Sequence, residues 1–205
     1  LNSINLSLIL SILFDLVFFS LRWYSLAYII GIIFGWWYGK KMIIQKFYPI
    51  DTEINKKFDD LITYIIFAII IGGRVGYVIF YNLEFYFYNP IDILKIWEGG
   101  MSFHGALIGI IIVTYIFSIK KNLKTFFLLD VIACVAPVGI FFGRMANFIN
   151  GELVGKVSNV PWSVIFPLVD MFPRHPSQVY EAILEGLILF IILNIIINKK
   201  KYISG

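Results

Sequence analysis

Arg144 and Asn147 stand three residues apart in the segment GRMANFINGELVG (143–155), directly after a long apolar run. On a helical turn this spacing puts a guanidinium and a carboxamide on one face. The guanidinium is a planar fork of donors suited to phosphate oxygens, and the amide adds a donor and an acceptor for hydroxyl groups. Asn150, Gly151 and Glu152 have the composition of a turn that closes the helix, and Gly155 permits another tight bend. The competing reading is an arginine that reaches along the membrane edge and pairs with Glu152.

A second group lies in GGMSFHGALIG (99–109). Gly99 and Gly100 break the preceding loop, and Gly105 and Gly109 are spaced four apart, which predicts a close-packing face for a neighbouring helix. His104 stands on that helix. Histidine titrates near neutrality and serves as a base or a donor, although a lone histidine on an apolar helix is also a common packing residue. In PRHPSQVYE (173–181), prolines on both sides of Arg174 and His175 hold the backbone extended, and Ser177, Gln178, Tyr180 and Glu181 open a final helix. This segment reads equally as a stiff connector and as a contributor to a site. Arg74, in GGRVGY (72–77), is expected to pair with a carboxylate on another helix, Glu152 or Glu181, or to touch a ligand. Asp130 is expected to be a charge at the N-terminus of its helix.

Other chemistries have no signature in the sequence. There is no histidine–carboxylate spacing for a metal, no glycine-rich phosphate loop, and no serine or cysteine set up as a nucleophile. Basic patches for nucleic acid are missing too. The single cysteine, Cys134, lies in an apolar run, so no disulfide can form within the chain. An enzyme built this way takes its nucleophile from a substrate.

The elements that must position these residues are membrane helices. Of 205 residues, 60% are hydrophobic and 15% charged, and the mean hydropathy is +0.84. No soluble domain could keep so much apolar surface from water. About 20 apolar residues cross a bilayer, and five stretches approach that length: 23–39, 61–81, 101–119, 126–143 and 179–198. The shorter stretch 6–19, which carries Asp15, is read as an interfacial arm. The expected fold is therefore an all-α polytopic integral membrane protein. Residues 1–205 form a single transmembrane domain, and 144–178 is an extracytoplasmic loop region.

Lysines orient the spans. Lys40, Lys41, Lys46, Lys56 and Lys57 follow the first, Lys120, Lys121 and Lys124 the third, and Lys199, Lys200 and Lys201 the last. The loop 82–100 carries Glu84, Asp92 and Glu98 against Lys95. Simple alternation then places the N-terminus outside and the C-terminus in the cytoplasm. Tyr24, Arg74, His104, Arg144 and the 174–181 segment all fall toward the outer leaflet. Arg74 sits seven residues before Tyr81, about 10 Å along the axis at 1.5 Å per residue. Polar groups from five elements at one depth predict a shared pocket for a lipid headgroup.

The set WYSL (23–26), GGRVGYVIFYN (72–82), GGMSFHGALIG, GRMANFINGELVG and PRHPSQVYE resembles the bacterial phosphatidylglycerol–prolipoprotein diacylglyceryl transferase family, in family order from about residue 20 to 198. The resemblance implies a multi-pass enzyme of the bacterial inner membrane that needs no metal or other cofactor. It would move the sn-1,2-diacylglyceryl group of phosphatidylglycerol to the lipobox cysteine thiol of a prolipoprotein signal peptide, releasing glycerol phosphate. It also implies that Arg144 binds the lipid phosphate, that His104 is a base or positioning group, and that Tyr24, Asn147, Glu152 and Gly155 are further functional positions. Family members usually continue with an apolar helix bearing an arginine–glutamate pair; this sequence ends at Gly205 before any such segment, so the chain is expected to lack it.

Two other readings compete. A non-catalytic lipid-binding membrane protein would keep Arg144 yet tolerate loss of His104. A small anion transporter would need discontinuous helices and inverted repeats near the midplane, and neither is visible in the sequence.

Overall fold

A computed structural model describes residues 4–5, 12–16, 19–47 and 53–199, with side chains described for 26–27, 29–43, 53–54 and 56–197. Two short strands form a hairpin, β2 (Ile12–Leu16) antiparallel to β3 (Phe19–Arg22), after β1 (Ile4–Asn5). Helices α1 (Trp23–Phe47) and α2 (Ile54–Tyr81) follow, then the short α3 (Leu83–Tyr88) and two 3₁₀ turns, Pro90–Leu94 and Ile96–Glu98. Next come α4 (Phe103–Lys120) and α5 (Thr125–Asn150). Strands β4 (Val164–Ile165) and β5 (Pro173–Arg174) precede a last helical rod, which starts as α6 (Ser177–Glu181). The rod widens to π geometry over Ala182–Ile188 and ends as α7 (Leu189–Lys199).

The expected helical membrane fold is what the chain adopts. Among the described residues, four helices are long and apolar enough to cross a bilayer: Lys56–Tyr81, Phe103–Lys120, Thr125–Asn150 and Ser177–Ile197. The expected stretch 23–39 lies within α1, a helix of 25 residues. The expected arm at 6–19 lies partly outside the described residues, and its described part belongs to the β2–β3 hairpin.

The chain divides into two compact units, one with residues up to Gly39 and from Ile132 onward, the other with Lys40–Val131. In the second unit, α2 and α4 meet through small residues. A side chain at Gly72 would lie 2.5 Å from the Gly105 carbonyl oxygen, and one at Gly109 would lie 2.7 Å from that of Ala68. The glycines four apart on α4 thus let two backbones touch, as their spacing predicted. In the first unit, Gly31 of α1 approaches Gly139 of α5, and Gly186 sits against Phe141. Outward-facing Phe67, Ile71, Ile79, Ile112 and Ile191 are exposed on the surfaces where lipid would lie.

Local sequence explains the helix ends. Ser102 caps α4 by accepting a hydrogen bond from the Gly105 amide at 3.2 Å, so the helix starts two residues later than the hydrophobic run suggested. α5 continues past the expected end at 143, because no residue before Gly151 breaks it. Gly151 then takes φ +68°; its amide bonds to Phe148 and that of Glu152 to Asn147, closing the helix as a Schellman motif. Arg144 and Asn147 therefore belong to the last turns of α5, and the loop they were assigned to begins after them. Asp130 is not the helix N-terminal charge expected: α5 starts at Thr125, which leaves Asp130 beyond the first turn, where the helix dipole is effective.

Candidate active site

Two clusters of polar residues, one in each unit, carry the motifs. The first is built on the end of α5. Arg144 Nε pairs with Glu181 Oε2 at 2.7 Å. Among the described residues its two terminal Nη groups have no partner, so four of the five guanidinium donors remain available to an anion. Glu181 replaces Glu152 as the partner of Arg144. Glu152 is held instead by Asn147, whose Nδ2 donates to Oε2 at 2.8 Å, and more weakly by Asn150 at 3.3 Å. Asn147 is buried, so its amide is a fixed part of the site.

The loop after α5 is tied down from below and from the side. Gln178, almost fully buried, donates from Nε2 to the Glu152 carbonyl oxygen at 2.5 Å, and the Ser177 hydroxyl donates to Leu153 O at 3.0 Å. Strand β4 pairs in parallel with β1 and antiparallel with β5, forming a small platform. Phe166 and Val164 make its buried core, and the Phe166 ring packs edge-on against Phe148 at 5.9 Å. Gly155 runs so close to β5 that a side chain there would lie 2.5 Å from the His175 carbonyl oxygen. That close approach accounts for a glycine at 155.

Arg174 and His175 resolve differently from one another. The Arg174 guanidinium grips the Asp170 carboxylate through Nε and Nη2 and donates to Gly155 O at 2.9 Å. That grip holds the Asp170 carboxyl below its ordinary range. Arg174 is thus a clamp on the loop. The Tyr180 hydroxyl accepts from Trp162 Nε1 at 2.6 Å and shares a hydrogen bond with His175 Nδ1 at 3.2 Å. Trp162 and Asp170 were not singled out from sequence. Trp162 did offer a signal, an indole after a proline in a polar loop.

The second cluster surrounds Arg74 and precedes His104. Arg74 is 4% exposed, and it does not meet the carboxylate expected of it. Nε donates to Ile93 O, Nη1 to Gly99 O and Gly100 O, and Nη2 to Asp92 O and Lys95 O. These are all five donors of a guanidinium. The Tyr86 ring lies 5.1 Å below it. The buried charge is therefore met by carbonyl dipoles, which offset its desolvation and leave no N–H for a phosphate. His104 is exposed in the first turn of α4, its ring edge against Phe103. The side chain of Tyr24 lies outside the described residues. Among the described residues, no group of three or more histidine, cysteine, aspartate or glutamate side chains could hold a metal ion.

Comparison with known proteins agrees with the motif reading. The family profile described as prolipoprotein diacylglyceryl transferase matches residues 11–205. A phosphatidylglycerol–prolipoprotein diacylglyceryl transferase of Rickettsia typhi (strain ATCC VR-144 / Wilmington) is 56% identical over 183 residues, 89% of this chain and 69% of the relative. Those of Rickettsia canadensis (strain McKiel) and Rickettsia akari (strain Hartford) are 53% and 52% identical, over 89% and 95% of this chain and 69% and 74% of theirs. With a profile match across nearly its whole length and relatives this similar, the chain belongs to the prolipoprotein diacylglyceryl transferase family.

Proposed function

We propose that this chain transfers the diacylglyceryl group of phosphatidylglycerol to the lipobox cysteine of prolipoprotein signal peptides, at the outer face of a bacterial inner membrane. The observation that carries the site assignment is the end of α5. There Arg144 keeps its Nη groups unpaired among the described residues, beside an Asn147–Glu152 pair fixed by burial and hydrogen bonding.

In this reading the substrate's thiolate sulfur attacks the glycerol carbon that bears the phosphate ester. The carbon–oxygen bond breaks, and the departing oxygen takes the electron pair as glycerol phosphate leaves. Arg144 stabilises the negative charge on that phosphate, and Glu181 holds the guanidinium in register. Asn147 and Glu152 orient the headgroup, and Gly155 keeps the loop beneath them close. Tyr24 contributes from the start of α1. His104 accepts the thiol proton, since a thiol is a poor nucleophile until deprotonated.

Membranes carrying the protein, incubated with labelled phosphatidylglycerol and a lipobox peptide, should transfer label to the peptide. Arg144→Ala should slow transfer on the order of a hundredfold to a thousandfold, the usual cost of removing a group that stabilises departing charge. Transfer that is unaffected by Arg144→Ala would refute the assignment. Solute crossing the bilayer with no covalent product would point to a transporter, and lipid binding with no product to a non-catalytic protein.

A further inference from the structure

We propose that Arg74 is a positioning residue for His104 and acts through the backbone of residues 92–102, without touching substrate. The proposal rests on the reading that His104 serves the transfer. It starts from the loop itself. Gly99 and Gly100 take φ +88° and +79°, and a side chain at Gly100 would meet the Tyr77 ring at 2.6 Å and Arg74 Nη1 at 2.9 Å. Only glycine fits where the turn lies against the guanidinium. Arg74 donates to Gly99 at 2.6 Å and to Asp92 at 2.6 Å, at the two ends of the connection. One residue earlier on α2, the Gly73 carbonyl accepts from the Ser102 amide at 2.9 Å. Consecutive residues of α2 thus hold both sides of the turn.

What the turn delivers is the start of α4. Ser102 caps the helix, Gly105 locks against Gly72 and Gly76, and His104 projects from between them. His104 has a ring contact with its own neighbour Phe103, so the backbone of this first turn sets its aim. Without the Arg74 side chain, five carbonyls would each lose their guanidinium donor, those of Asp92 and Lys95 keeping only a backbone amide, and the turn would relax, carrying His104 with it. Misplacement of a reacting group by about 1 Å can cost a hundredfold in rate. The phosphate task stays with Arg144, because Arg74 has no donor left to give.

The test is a kinetic cycle on the full chain in phosphatidylglycerol-containing nanodiscs, with wild type, Arg74→Met, His104→Ala and the double variant. Arg74→Met should lower kcat on the order of tenfold to a hundredfold, while KM for phosphatidylglycerol stays within about twofold. The double variant should be no slower than His104→Ala. Gly100→Ala, which leaves Arg74 in place, should show the same kcat loss at constant KM, and it decides the matter if Arg74→Met does not fold. A raised KM at unchanged kcat would overturn the proposal in favour of a phosphate contact. So would losses that multiply in the double variant. His104→Ala at the wild-type rate would remove His104 from the reaction and this proposal with it, whereas a slow His104→Ala with multiplying losses refutes the coupling alone.

Discussion

At the residue scale, the two arginines do opposite work with the same side chain. Arg74 spends every donor on backbone, while Arg144 uses Nε on Glu181 and keeps its Nη groups unpaired among the described residues. A lysine at 144 would keep the charge but lose the planar fork. Arg144→Lys should therefore lower kcat/KM for phosphatidylglycerol by about ten- to a hundredfold; steady-state kinetics at fixed peptide concentration would measure this. The difference between the arginines was not legible in the sequence. Backbone carbonyls leave no signature in side-chain types, so Arg74 was expected to need a carboxylate. The Glu181 partner of Arg144 is distant in the chain, and the nearer Glu152 was the natural candidate. What could be read was the i,i+3 placement of Arg144 and Asn147 on one helix and the closing turn at Gly151, because both are fixed by local geometry.

The Asp170–Arg174 pair makes a second prediction at this scale. Arg174 holds the Asp170 carboxyl below its ordinary value of 3.8. A carboxylate with a depressed folded-state value stabilises the fold above its ordinary value and loses that contribution as pH falls through the depressed one. The thermal midpoint should therefore drop as pH is lowered below about 4, and Asp170→Asn should flatten that part of the curve. Thermal scans of the detergent-solubilised protein across the acid range would check it. An equally steep fall in the variant would assign the acid sensitivity to other carboxylates.

At the element scale, glycine spacing is the working principle. Gly72 and Gly76 on α2 face Gly105 and Gly109 on α4, and the contacts are backbone to backbone. A methyl at Gly105 would meet both Gly72 and Gly76, whereas one at Gly139 would meet nothing within 4 Å. Gly105→Ala should destabilise the protein by about 1–3 kcal/mol, the usual cost of overpacking a tight contact. Gly139→Ala should be close to neutral or slightly stabilising in the interior of α5, where alanine is the better helix former. Denaturant or thermal unfolding of the two variants side by side tests the contrast. The spacing on α4 announced this packing in the sequence. The strands β4 and β5 did not announce themselves, since two residues are too few to show an alternating pattern. The π segment at Ala182–Ile188 was hidden too, because its residues suit an ordinary helix equally well.

At the scale of the whole molecule, hydropathy alone was enough to establish a helical membrane protein, and four spans among the described residues agree with it. Spans are legible because a bilayer demands a fixed apolar length. The reaction was not legible from composition; it required the long motifs, which lie within the residues 11–205 that the family profile matches. The orientation expected from the lysine clusters has a direct test. A cysteine introduced at Trp97, in the connection between α3 and α4, should react with an impermeant maleimide added to intact bacterial cells. One at Lys121, past the other end of α4, should react after permeabilisation. Reversed labelling would invert the orientation and move the site to the cytoplasmic face.

The most direct measurement counts two products from one incubation: lipobox peptide carrying a thioether-linked diacylglyceryl group, by intact mass, and glycerol phosphate released. The two should appear one for one with wild type, and both should collapse with Arg144→Ala. Glycerol phosphate formed without modified peptide, or full lipidation by the Arg144→Ala variant, would contradict a transferase that holds its donor lipid by the phosphate at the end of α5.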